Sequence, residues 1–417
     1  MQTRIFRVGA TACVLHGLAL GVVASGAIPA ETAWRRHTID NTSRGADGVR
    51  LADVNGDGRL DIATGWEQGG TVRAYLNPGP ATAGDPWPAV TVGRVGDVED
   101  AVFADLDGDG ALEVISSCEG RTRTLFVHWA PKDPQHTLEA AAWRTEPLPA
   151  SANAAQWMFA LPLQVDGRHG PDLVAGGKNR GAAIGWFEAP ADARSVADWK
   201  WHPLRPVGWL MSLAASDMDG DGDPDVVFSD RKGERSGCFW LENPGTGTTQ
   251  TQPWREHLIG GAKRQAMFLH LADLDGDHLE DVLLAVQPGG ILWLRRLDQG
   301  GRSWESHSIP LPENAGIAKA VNVGDLDGNG RLDLVFSCEQ ALAPRHGLMW
   351  LSSAGSPPAG SWTAHPLSGV DGVKHDLVAL NDLDGDGDLD AITTEETTNL
   401  GVIWYENPAR QPAETRQ

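Results

Sequence analysis

The sequence predicts an all-β fold, a β-propeller of seven four-stranded antiparallel blades, on three observations. A nine-residue acidic loop recurs along nearly the whole chain, an aromatic strand follows each copy, and a Trp-led segment precedes the next. The loop is first met in "ADVNGDGRLDI", Ala52 to Ile62, where Asp53, Asn55, Asp57 and Asp61 hold positions 1, 3, 5 and 9. That spacing wraps oxygen ligands round one hard cation, and so many carboxylates favour calcium over magnesium, which keeps more water. The pattern returns as Asp105, Asp107, Asp109 and Glu113; as Asp217, Asp219, Asp221 and Asp225; and as Asp273, Asp275, Asp277 and Asp281. It returns again as Asp325, Asp327, Asn329 and Asp333, and as Asp382, Asp384, Asp386 and Asp390, with a weaker copy from Gln164 to Asp172. The seven first positions are 52 to 59 residues apart, so one supersecondary unit organises the chain.

The residues entering the first loop, "VRLADV", alternate, and those leaving it, "LDIATGW", are β-rich, so the loop joins two strands of a hairpin. An EF-hand is excluded, because position 12 is Thr64, Ser116, Ala175, Phe228, Leu284, Phe336 or Thr393 where a bidentate Glu is required. Position 2 is always apolar and is expected to point inward. A third strand follows as "AYLNP", "VHWAP", "GWFEAP", "FWLENP", "LWLRR", "MWLSS" or "IWYENP". The fourth is Trp-led: "WRRH" from Trp34, "WKWH" from Trp199, "WREH" from Trp254, "WESH" from Trp304 and "WTAH" from Trp362, with degenerate copies at Trp87 and Trp143. Four strands make one propeller blade. Identical positions in a ring of blades cannot converge on one ion, so the W-x-x-H histidines are expected to pack or hydrogen-bond on the outer strands.

"MQTRIFR" and the apolar run after it read as a Sec signal peptide over residues 1–30, cleaved between Ala24 and Glu31, which predicts a secreted or periplasmic protein. The propeller is expected over 31–408, followed by a C-terminal tail, 409–417. No later segment is apolar enough to span a membrane. Cys118, Cys238 and Cys338 are an odd set with no dense framework, so disulfides are not expected to hold the fold. The net charge of −22 is matched by the loop positions alone, so it reports ion dependence and not a cationic partner; no basic stripe suggests nucleic acid. A monomer is expected.

The recurrent D-x-D-G-D-G-x-x-D hairpin resembles the FG-GAP or VCBS repeat family, which includes the seven-bladed propeller of integrin alpha subunits, over about residues 34 to 408. The resemblance implies that each hairpin joins the innermost strand of a blade to the second and binds calcium on one face, with about six structural ions. The ligands it implies are the residues named above at positions 1, 3, 5 and 9. The third loop departs from it, with Gln164, Arg168 and His169, and is not expected to bind calcium. The same phase leaves the last blade without a fourth strand, and "WRRHTID", Trp34 to Asp40, is expected to supply it by pairing near Val402 to Tyr405.

Function in propellers usually lies on the face away from such repeated loops. There the repeat is abandoned. The position six residues after position 9 reads Glu67, Glu119, Lys178, Arg231, Gln287, Glu339 and Glu396, and the segments entering the inner strands carry "GDVED", "AQWMF", "GWLMS", "KRQAM", "GIAKA" and "VKHDL". The candidate ligand-binding residues are Glu99, Asp100, Glu119, Trp157, Lys178, Trp209, Arg231, Lys319, Glu339, His375, Asp376 and Glu396. Trp faces, carboxylates and basic groups suit a sugar or glycan; an extracellular protein is the other binding partner considered. No nucleophile elbow, zincin, P-loop or dinucleotide motif is present. A sugar-active lyase or dehydratase is the alternative, with His375, Asp376, Glu395, Glu396, Lys178 and Arg231 as its acid, base and cation. Some propellers that resemble this one belong to polysaccharide lyases and sugar dehydratases, an analogy at the level of the fold. Convergence of His375, Lys178, Arg231 and Glu119 in one pocket would favour the enzyme.

Overall fold

Each repeat folds into one four-stranded antiparallel sheet, and the seven sheets pack side by side in a closed ring, the seventh against the first. The computed structural model describes residues 33–408 apart from 246, 248, 250–251 and 356–359; the expected signal peptide and the tail 409–417 lie outside the described residues. In the first blade the strands run Ala46–Ala52, Asp61–Trp66, Thr71–Tyr75 and Ala89–Gly93 from the axis outward. Inner strands of the following blades begin at Val98, Gln156, Leu210, Gln265, Ile317 and His375. Second strands such as Asp61–Trp66, Glu113–Cys118 and Asp225–Asp230 are buried along their whole length. Neighbouring blades cover both of their faces, which is why they read as unbroken β-rich runs and not as alternation. Outer strands such as Lys200–Pro206 are largely exposed and read polar.

The expected closure is observed. Arg35–Asp40 pairs antiparallel with Gly401–Glu406, Arg36 opposite Tyr405 and His37 opposite Trp404, as the outermost strand of blade 7. Trp34 is buried, its ring centroid 6.4 Å from that of Trp350 in blade 6, and its N–H donates to the Leu367 carbonyl at 2.9 Å. At the other end of this strand Asp40 accepts a hydrogen bond from the Tyr75 hydroxyl at 2.8 Å and pairs with Arg73, so the strand also ties blade 7 to blade 1.

The W-x-x-H histidines stack on the third-strand tryptophans of their own blades. Ring centroids are 4.2 Å apart for His37 and Trp404, 4.6 Å for His202 and Trp186, 4.1 Å for His257 and Trp240, 4.8 Å for His307 and Trp293, and 4.1 Å for His365 and Trp350. Three of these rings also hydrogen-bond a glutamate, His37 to Glu406, His202 to Glu188 and His257 to Glu242. In blades 1 and 2, where the fourth strand is degenerate, both partners change together: Val90 faces Ala74 and Glu146 faces Val127. Cys118, Cys238 and Cys338 are free and buried. Among the described residues no helix is long and apolar enough to cross a membrane.

Candidate functional site

Two sets of side chains stand apart from the scaffold, at opposite ends of the inner strands. At one end lie the acidic hairpins. Asp53 organises its own turn, Oδ1 accepting from Gly56 N–H at 2.8 Å and Oδ2 from Gly58 N–H at 2.8 Å. Both glycines hold positive φ, 75° and 83°, which side-chain-bearing residues resist. Position 9 is buried: Asp61 accepts from Val54 N–H at 2.9 Å and from Asn77 N–H at 2.8 Å, pinning the hairpin to the end of the third strand. Burial lifts the carboxyl of Asp61 to about 6 and those of Glu113, Asp225 and Asp390 to about 7. Acid oxygens at positions 1, 3 and 9 come within 4.8 Å of one another in the loops beginning at Asp105, Asp217, Asp273 and Asp325. Such all-oxygen clusters fit a hard divalent cation.

The third loop is built differently, in keeping with its sequence. Gln164 keeps the backbone role of Asp53, its Oε1 accepting from Gly167 N–H at 2.9 Å. Arg168 brings its guanidinium to Asp166 at 3.1 Å and to Glu188 at 3.7 Å, so a side-chain cation already occupies this turn.

At the other end the chain encloses a mouth, a cavity of about 250 Å³ lined by two rings of side chains. The first ring stands at the ends of the second strands, six residues after position 9, and supplies Glu67, Glu119, Lys178, Arg231, Glu339 and Glu396. The second comes from the start of the inner strands, where every blade has a β-bulge. The extra residue escapes the ladder and its side chain is re-aimed. Glu99, Met158, Met211, Phe268, Lys319 and Asp376 fall in these bulges, Asp47 borders one, and all seven line the mouth.

Nine of the twelve candidate residues therefore meet in one cavity: Glu99, Glu119, Lys178, Trp209, Arg231, Lys319, Glu339, Asp376 and Glu396. Three do not. Trp157 is turned into the core between blades 2 and 3, against Phe187 and Trp201, its indole N–H on the Ser151 carbonyl at 2.9 Å. Asp100 is buried in an ion pair with Arg50 at 2.9 Å. His375 is fully buried, its ring packed close to Gly347 and Gly372, and Glu395 behind it accepts N–H bonds from Val373, Lys374, Thr397, Thr398 and Leu400. Of the four residues whose convergence would favour the enzyme, Lys178, Arg231 and Glu119 share the cavity and His375 stays outside it. Each misplaced residue adjoins one that does line the mouth, and one step along a strand reverses the side chain's face. Asp47, Glu67, Met158, Phe159, Met211, Phe268 and Lys374 went unnamed as candidates. A fixed register, six residues before position 1 of each loop, marks Asp47, Met158 and Met211 in the sequence.

The mouth is polarised. All seven of its carboxylates, Asp47, Glu67, Glu99, Glu119, Glu339, Asp376 and Glu396, come from blades 6, 7, 1 and 2, whereas blades 3, 4 and 5 contribute Met158, Phe159, Met211, Phe268, Trp209, Lys178 and Arg231. Ion pairs cross between blades: Lys178 reaches Glu99 at 3.0 Å and also Glu119, Arg231 approaches Glu339 at 3.7 Å, and Lys319 meets Asp376 at 2.9 Å. Lys178, Arg231 and Lys232 lie 4.5, 5.0 and 3.9 Å from the centre of the Trp209 ring. Crowding raises the Glu67 carboxyl, through burial first and then the charges of Glu99 and Glu396. Oδ1 of Asp376, Nε1 of Trp209 and Nε of Arg231 are buried without a hydrogen-bond partner among the described residues. Phe159 and Phe268, edge to face at 5.5 Å, floor the mouth above a second, axial cavity of about 540 Å³.

No curated protein matches the chain at a significant level. A family model described as an FG-GAP-like repeat matches residues 53–116, 217–284 and 273–336. Each match starts at position 1 of one acidic hairpin and runs into the second strand of the next blade, so the family's unit spans hairpin to hairpin. The chain carries FG-GAP-like repeats and builds from its repeats a seven-bladed β-propeller.

Proposed function

We propose that the protein is a secreted, calcium-loaded propeller that binds a sugar or short glycan in its central mouth. The calcium hairpins serve as scaffold: their oxygen clusters suit that ion, and they lie at the far end of the inner strands from the mouth. The observation that carries the reading is the cavity itself. It has a carboxylate half, which also carries Lys319 and Lys374, and an apolar half with Lys178 and Arg231, and it leaves buried polar atoms of Asp376, Trp209 and Arg231 without partners among the described residues. Buried polar groups are ordinarily paired, so these atoms are matched to a polyhydroxylated guest. Carboxylates accept from sugar hydroxyls, Arg231 donates, and the Met and Phe side chains meet the C–H face of the ring.

Screening the protein against an array of neutral, acidic and amino glycans, in calcium and in chelator, tests the proposal. Binding is expected to weaken by about tenfold or more in Arg231→Ala, which removes a charged donor, and to be unchanged in Arg331→Ala, an exposed residue in the sixth hairpin. Loss from Arg331→Ala with retention in Arg231→Ala would place the ligand on the hairpin face instead.

A further inference from the structure

We infer that Lys319 is a nucleophilic amine of the mouth, which condenses with the carbonyl carbon of an open-chain hydroxy aldehyde or ketone while Asp376 carries the proton. The inference rests on the mouth being the binding site and adds a chemistry to it. Three lysines line the cavity, and two pair with glutamates of the ring: Lys178 with Glu99 and Glu119, Lys374 with Glu396. Lys319 differs. It occupies the bulge of blade 6, between Ala318 and Ala320, with its side chain almost fully buried, yet it borders the open cavity. Among the described residues its Nζ has one ionic partner, Oδ2 of Asp376, at 2.9 Å, and the other oxygen of that carboxyl is buried without a hydrogen-bond partner.

Burial disfavours both charges of this pair. It pushes the Lys319 amine well down, aided by the neighbouring charge of Lys374 and opposed by Glu396, Glu339 and Glu99, and it pushes the Asp376 carboxyl up, aided by Glu396. A neutral amine beside a protonated carboxyl is the form that attacks a carbonyl group. The nitrogen lone pair forms the C–N bond, and the carbonyl oxygen takes the proton of Asp376. Asp376 then recovers a proton from nitrogen and returns it to the carbinolamine hydroxyl, which departs as water. One carbonyl compound, one amine and the proton of Asp376 thus give one protonated imine, one water and the Asp376 carboxylate, with no oxidant or reductant. The seven carboxylates around the site would hold the hydroxyl groups of such a substrate.

Glycolaldehyde with cyanoborohydride at pH 7 traps such an imine irreversibly on lysine, and peptide mass spectrometry locates it. On the wild-type protein Lys319 is expected to label on the order of a hundredfold faster than the exposed Lys132 and Lys263. Its labelling rate should rise through neutral pH. Asp376→Asn should slow the labelling of Lys319 alone, and Lys319→Arg should abolish it at that site without changing labelling elsewhere. Labelling confined to exposed lysines would overturn the inference. Calorimetry with methyl glucoside, which has no free carbonyl group, separates the two proposals. Binding of that sugar without labelling of Lys319 sinks the chemistry and leaves the binding site; labelling without glycan binding supports the chemistry and removes the glycan.

Discussion

His128 sits at the centre of blade 2 with both ring nitrogens engaged, Nε2 with the Ser116 hydroxyl and Nδ1 with the Thr145 hydroxyl, each at 2.9 Å. Burial alone drives its pKa down to about 3. Because the folded value lies below the ordinary 6.5, the unfolded chain binds the proton more readily, so this residue's contribution is complete above about pH 6.5 and fades as pH falls towards 3. The full effect is roughly 5 kcal/mol at about 1.4 kcal/mol per pKa unit. Denaturant titrations of wild type and His128→Gln from pH 7.5 to 4.5 should show the wild type losing more stability; parallel curves would mean that the imidazole does not titrate with unfolding. Single residues also mark where sequence reasoning falls short. The segment "GDVED" shows that something acidic enters blade 2, but the ladder absorbs Asp100 and the bulge ejects Glu99. Strand alternation cannot decide between them, since a bulge is a local break in that alternation. Only the distance of six residues to the acidic loop, kept in six of the seven blades, carries the phase; in blade 5 Phe268, one residue nearer the loop, takes the place in the mouth.

The element scale is where the sequence is most legible. Hydrophobic pattern and loop spacing give every strand, because each blade must present the same faces to two neighbours. The fourth strands show why: W-x-x-H occurs where the third strand offers a tryptophan for the histidine to stack on, and both disappear together in blades 1 and 2. The closing strand, Arg35–Asp40, is legible for a different reason, since it is the one Trp-led segment left over after the others are assigned. Its removal should matter. Deleting residues 31–40 takes away a strand ladder, the burial of Trp34 and the Asp40 bond to Tyr75, whereas deleting residues 410–417 leaves both strands of that ladder, Arg35–Asp40 and Gly401–Glu406, in the chain. Trp34→Ala by itself should cost about 3 kcal/mol, as large aromatic truncations in cores do. Thermal melts of the two truncations test this: equal tolerance would mean that the strand does not secure the ring.

At the scale of the whole molecule, charge is arranged along the axis and around it. The hairpins crowd carboxylates on one face, and without a counter-ion these repel one another within each short turn. Excess chelator is therefore expected to lower the melting temperature, and readdition of calcium to restore it, with magnesium a poorer substitute. A chelated protein that melts unchanged would remove the scaffold role. Around the axis the mouth is acidic on one side and apolar and cationic on the other, an asymmetry that no single repeat displays and that emerges only when blades 6, 7, 1 and 2 become neighbours. The pairing of Arg35–Asp40 with Gly401–Glu406 makes that neighbourhood depend on time as well as space. A chain emerges from a ribosome with its N-terminus first, so the strand that finishes blade 7 is made before the other strands of the ring and is the last of them to find its partner. Blades 1 to 6 hold their strands in consecutive order and can pair as they appear, while the acidic half of the mouth waits until residue 406 has arrived. Ligand binding would then report that synthesis had run through the last repeat, because no shorter product brings blade 7 against blade 1 with its outer strand in place.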